Sequence, residues 1–82
     1  MIRVLALHYL GEFRLELTFS DGKRGIFDAS PLLEREGSLL VPLRDEQYFG
    51  RVFIDAGALC WPNGLELSPD RVSAQSRMLE AA

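Results

Sequence analysis

The sequence predicts an α+β domain: a small antiparallel sheet, built from a three-stranded meander plus a second hairpin, with short helices and a C-terminal helix. Three observations predict it. Phe13, Leu15, Leu17 and Phe19 alternate with Arg14, Glu16 and Thr18, the period of a strand with one dry and one wet face. Turn formers at Ser20-Asp21-Gly22, Ala56-Gly57 and Asn63-Gly64 separate short extended runs. Ser-Pro pairs stand at Ser30-Pro31 and Ser68-Pro69, where a capping hydroxyl followed by a residue without an N–H opens a helix.

Each element follows in order. Residues 3–9 are β-branched and aliphatic and read as the first strand, interrupted at Gly11-Glu12. Phe13 to Phe19 is the second strand, and Lys23 to Phe27 resumes an extended pattern beyond the turn, completing the meander. In the first strand Ile2, Val4, Ala6 and His8 share a face. Ser30 then caps a helix of one to two turns that Gly37 ends. Ser38 to Leu43 is apolar but punctuated by Pro42, which suits an extended edge or a loop. Asp45 to Phe49 reads as a further helical turn with acids at its N-terminal end, closed by Gly50. Arg51–Asp55 and Ala58–Trp61 form the second hairpin. Trp61-Pro62-Asn63-Gly64 turns the chain, and Ser68 caps a final helix from Pro69 to about Leu79, whose stripe of Val72, Ala74, Met78 and Leu79 is weak.

Eighty-two residues make one small domain, expected over 1–82 with residues 73–82 as a helical tail. At this size the buried fraction of surface is modest, so a homodimer is a natural expectation. A hydrophobic share of 48% with 26% charged residues excludes a disordered chain. The net charge of −3, with no basic arm, argues against direct nucleic-acid binding. One cysteine and one histidine exclude an internal disulfide and a zinc cluster built from these two residue types. The apolar run at the start is far too short to span a bilayer, so the expected setting is the cytoplasm, with no membrane partner.

No nucleophile elbow, phosphate loop or dinucleotide fingerprint occurs, so neither a catalytic residue nor a cofactor is assigned. His8 is expected as a packed or rim side chain and Cys60 as a small buried hydrophobe. Asp21, Asp28, Asp45 and Asp70 adjoin turns or helix starts, where capping accounts for them. Glu34-Arg35-Glu36 with Asp45-Glu46 reads as a solvated acidic rim able to steer a basic partner. Trp61 is expected to anchor the second hairpin in the core; its alternative is an exposed hot spot in a protein interface. Asn63 at the turn tip and Arg71, Gln75 and Met78 on the last helix complete the set of candidate partner contacts.

Four spaced blocks carry a family resemblance: Phe19-Ser20-Asp21-Gly22, Phe27 through Leu33, Leu43-Arg44-Asp45 through Phe49, and Trp61 through Asp70. Over roughly residues 1–72 the chain resembles the domain-of-unknown-function 2442 family. It departs from the family pattern after Pro69-Asp70, where Arg71-Val72-Ser73 stands in place of a Leu-Tyr pair. The resemblance implies a small bacterial α+β domain without an established activity, found alone or joined to a helix-turn-helix domain, and often encoded beside a second small protein as in a toxin–antitoxin pair.

The expectation is therefore a non-enzymatic cytoplasmic protein-interaction module, an antitoxin-like partner of another small protein. Two alternatives stay open. One is a nucleic-acid-associated regulatory module that gathers Arg3, Arg14, Lys23, Arg24 and Arg51 on one sheet face. The other is a small ligand-binding or enzymatic domain using His8, Cys60 or an Asp at a subunit interface.

Overall fold

A computed structural model describes residues 1–79 of the chain. The elements run β1 (Val4–Gly11), β2 (Arg14–Phe19), β3 (Arg24–Asp28), α1 (Ser30–Leu33), a 3-10 turn (Pro42–Arg44), α2 (Glu46–Phe49), β4 (Phe53–Asp55), β5 (Ala58–Cys60), β6 (Glu66–Leu67), α3 (Pro69–Gln75) and β7 (Arg77–Leu79). They form two antiparallel sheets, one ordered β1-β2-β3-β7 and the other β4-β5-β6. The α+β class, the meander and the second hairpin are as the sequence predicts. Two short strands are additional: β6 enlarges the hairpin, and β7 enlarges the meander.

The alternation in β2 sends Leu15, Leu17 and Phe19 to full burial, while Arg14, Glu16 and Thr18 take the other face. In β1 the expected register fails. Val4 pairs with Phe19 but Ala6 pairs with Thr18, so Leu5 is an extra residue and the strand bulges there. The bulge turns Leu7 and Tyr9 inward and leaves His8 exposed opposite Glu16, not packed beside Val4. Leu5 itself is left 58% exposed.

The β1–β2 connection is a second correction. Phe13 is not part of the alternating strand: Gly11 pairs with Arg14, and Glu12 and Phe13 form a two-residue turn with φ of 55° and 63°. Such a primed turn matches the twist of a hairpin but asks both residues for a left-handed backbone that Glu and Phe adopt reluctantly. The corresponding turn of the second hairpin uses Ala56 and Gly57. There glycine is required twice over, because φ is +83° and an added Cβ would lie 2.6 Å from Cβ and Cγ of Arg3.

The core is drawn from both sheets and the helical turns. Leu15, Leu17, Phe19 and Phe27 of the first sheet meet Leu59 and Leu67 of the second, with Leu43, Phe49, Trp61 and Val72 filling the space between. Phe49 is its aromatic centre, with the rings of Phe13, Tyr9 and Trp61 at 5.3, 5.4 and 5.6 Å. The helix starts deviate from the expected capping. Ala29, not Ser30, precedes α1, and Asp28 opens the turn by accepting the Ser30 N–H at 2.9 Å. Asp45 caps α2 through the Gln47 N–H as expected, whereas Ser68 precedes α3 without a side-chain bond.

The last helix is shorter than predicted. It stops at Gln75, where Ser76 turns extended with its hydroxyl donating back to the Val72 carbonyl at 2.7 Å. Arg77, Met78 and Leu79 then pair with Ile26, Gly25 and Arg24 of β3. The weak apolar stripe cannot hold a longer helix on the body, and an unpaired sheet edge offers the backbone more. The part of the expected tail beyond Leu79 lies outside the described residues.

Candidate functional site

The five candidate contacts do not converge. Trp61 is 1% exposed, and its indole N–H donates to the Phe49 carbonyl at 2.9 Å, so it serves the core and presents nothing to a partner. Asn63 is half-buried and holds two chain segments together: its amide donates to the Leu39 carbonyl and its oxygen accepts the Leu65 N–H. Met78 lies on β7, with its sulfur where a side chain on Gly25 would stand. Only Arg71 and Gln75 meet. They project from one side of α3, which Val72 anchors in the core.

Opposite them stands α1. Four residues are too few to hold a helix in isolation, so both of its ends are tied down. Asp28 fixes the start, and Arg44 reaches back from the 3-10 turn to the end. Its Nε donates to the Leu33 carbonyl at 2.9 Å and its Nη2 to the Arg35 carbonyl at 3.2 Å. The helix becomes a ridge between two open clefts.

One cleft, about 480 Å³, lies between the strained β1–β2 turn and the 3-10 turn, lined by Phe13, Ser30, Leu33, Glu34 and Arg44. The other, about 260 Å³, is lined by Asp28, Pro31, Leu32, Arg35 and Gln75, and beside it a narrow crevice of about 10 Å³, lined by Arg35, Arg71 and Gln75, ends on the buried Phe27, Leu67 and Val72. Sequence reasoning missed Arg35 as a site residue by reading it within an acidic rim. The chain turn after α1 separates it from its neighbours, so that Glu34 faces the first cleft and Arg35 the second.

Glu34, Arg35, Glu36, Asp45 and Glu46 are all exposed, as a solvated rim requires, but Glu46 is also spent on bonds to the rest of the fold. Its carboxylate accepts the Tyr9 hydroxyl at 2.7 Å and the Glu12 N–H at 3.0 Å, bracing the left-handed turn that places Phe13. The Tyr9 hydrogen bond, with the Glu12 amide second, holds the Glu46 carboxyl below its ordinary range. Burial, followed by that bond and by the Glu46 and Glu12 charges, pushes the Tyr9 phenol up, against a smaller opposing contribution from the Phe13 backbone bond.

The other chemistry-bearing residues stay apart. Cys60 is buried on β5, and burial, then the charges of Glu66 and Asp55, raises its thiol, which disfavours the reactive thiolate. The five basic residues do not form one face. Arg14 and Arg24 share the outer surface of the first sheet with Asp28 and Glu16, Arg24 pairing with Glu16 at 3.3 Å, while the Arg3 stem lies against Gly57 and Arg51 stands over the Tyr48 ring. Among the described residues there is no group of three metal-ligating side chains and no helix long and apolar enough to cross a membrane.

The family model described as a protein of unknown function, DUF2442, matches residues 4–77. The chain belongs to the DUF2442 family. The match runs through α3 and into β7, several residues beyond the four blocks that suggest it, so the departure at Arg71-Val72-Ser73 leaves the membership intact. Both clefts of this DUF2442 domain fall inside the matched region. No curated protein and no solved structure matches the chain.

Proposed function

We propose that this DUF2442 domain is a non-enzymatic protein-interaction module that docks a second small protein across the α1 ridge, the antitoxin-like role being the form in which its family relationship would express this. One observation carries the reading. A four-residue helix is clamped at both ends and raised between two open clefts, and α3 presents Arg71 and Gln75 from the facing wall. A clamped ridge keeps its shape in the unbound domain, so docking on it costs little ordering of the main chain.

The test is titration calorimetry of the purified chain with the small protein encoded beside it, followed by hydrogen exchange on the mixture. A stoichiometric complex with protection centred on residues 30–35 and 71–75 is expected. Absence of binding at micromolar concentrations, or protection confined to the exposed sheet face, defeats the proposal. Light scattering of the chain alone separates the remaining case: a mass of twice 9.2 kDa with the same protected residues would make the occupant a second copy.

A further inference from the structure

We infer that the rim of the crevice between α1 and α3 recognises an acidic segment of the partner, taking carboxylates between Arg35 and Arg71; this rests on the interaction-module reading above. Arg35 and Arg71 line the same crevice from opposite walls, one following α1 and the other on the first turn of α3. Among the described residues the one ion pair is Arg24 with Glu16, and neither guanidinium donates a hydrogen bond to the rest of the fold. Both side chains are exposed, and among the described residues none accepts from their five donors.

A guanidinium is planar and forked, so a pair of them facing a common space matches carboxylates better than it matches any neutral group. Gln75 stands beside them with an amide that can donate to the same ligand. Asp28 lines the wider cleft with Arg35 but not the crevice that Arg35 shares with Arg71, and one of its oxygens already accepts the Ser30 N–H. Below the two arginines the crevice narrows to about 10 Å³ over the buried Phe27, Leu67 and Val72, so a ligand is held at its rim and not within it. The net charge of −3 makes this a local feature, which repels a generally acidic protein and selects one able to bring its acids to this point.

The experiment uses the full chain and a fluorescent peptide of glutamates, with a glutamine-for-glutamate version, inorganic phosphate and a short DNA duplex as competitors. Anisotropy is read at low salt and at about 0.5 M salt, where the screening length falls to about 4 Å. The acidic peptide should bind and the glutamine peptide should not. Arg35→Gln and Arg71→Gln should each weaken binding about fivefold, the upper range for exposed ion pairs, and the double variant should lose the salt dependence. Neither side chain bonds to the fold, so an unchanged thermal midpoint shows that the variants are folded. Equal binding of both peptides, unchanged affinity in the arginine variants, or displacement by phosphate or DNA at comparable concentration overturns the inference. If the neighbouring protein binds wild type and double variant alike, the acidic-segment inference falls and the interaction module stands; if the peptide binds and that protein does not, the reverse holds.

Discussion

Replacing Trp61 by Phe removes the bond that ties the second hairpin to α2 while keeping an aromatic ring in the core. The indole N–H meets the Phe49 carbonyl at 2.9 Å with Trp61 1% and Phe49 0% exposed, so water cannot replace the lost donor. The carbonyl keeps the Val52 N–H, which it accepts at 3.2 Å, so losing the indole bond costs about 0.5–1.5 kcal/mol. The smaller ring also vacates about 40 Å³, worth about 1 kcal/mol at about 24 cal/mol per Å³. The sum, about 1.5–2.5 kcal/mol, is a sizeable part of the roughly 4–12 kcal/mol expected for a domain of this length. Urea unfolding followed by far-UV circular dichroism measures it, since the variant has lost the tryptophan signal. In a melt the same loss should lower the midpoint by on the order of 6–20 °C. A loss below about 0.5 kcal/mol with an unchanged urea slope would refute the reasoning, because it would mean that the indole bond adds nothing beside the Val52 N–H and that the packing around the ring is loose.

The remaining predictions concern the braced turn and the buried thiol. Glu46→Gln should lower stability at neutral pH and flatten its acid dependence: the depressed Glu46 carboxyl contributes above its ordinary value of 4.5, and that contribution is lost as pH falls through the lower folded-state value. Urea midpoints from pH 7 to pH 3 check it, and parallel curves for variant and wild type would contradict it. The Tyr9 phenol, raised above 10.0, should add stability that is present below that pH and lost above it, so Tyr9→Phe should remove part of the decline on the alkaline side. Glu12→Asn should stabilise by about 0.5–1 kcal/mol, because Asn tolerates the left-handed backbone of a primed turn and keeps the amide that Glu46 accepts; a lower melting midpoint would count against it. Cys60 should react slowly with a disulfide reagent in the native state and rapidly near the urea midpoint, and immediate native labelling would show that the burial on β5 is transient.

What the sequence disclosed was local. Period-two alternation places Leu15, Leu17 and Phe19 in the core, and turn chemistry locates both hairpins, because each signal is written within a few consecutive residues. The errors arise where distant partners decide. One unpaired residue at Leu5 reverses the faces of β1 and puts His8 outside, and nothing in a run of aliphatics announces which residue will bulge. Phe13 leaves the strand for a left-handed turn because the side chain of Glu46, far along the chain, accepts the bonds that hold it there. The strands β6 and β7 are two and three residues long, too short for periodicity, and exist through pairing with β5 and β3. At the site, Arg71 and Gln75 were legible as exposed helix residues beside a buried Val72; Arg35 was not, since composition groups it with the acids that precede and follow it.

The same long-range bonds explain why the α1–α3 cleft belongs to the rigid part of the fold. Arg44 spends two of its donors on main-chain carbonyls at the end of α1, one of them that of Arg35 itself. The backbone that carries Arg35 is thereby fixed while its guanidinium stays free. On the other wall Val72, 1% exposed, pins the turn of α3 that carries Arg71. The cost of engaging a ligand is then confined to the rotamers of two arginines and a glutamine, about 0.5–1.5 kcal/mol each, and no segment has to fold on contact. A domain whose size leaves little stability to spare can present such a site only if the clamps that shape it also serve the fold, and Asp28, Arg44 and Val72 do both.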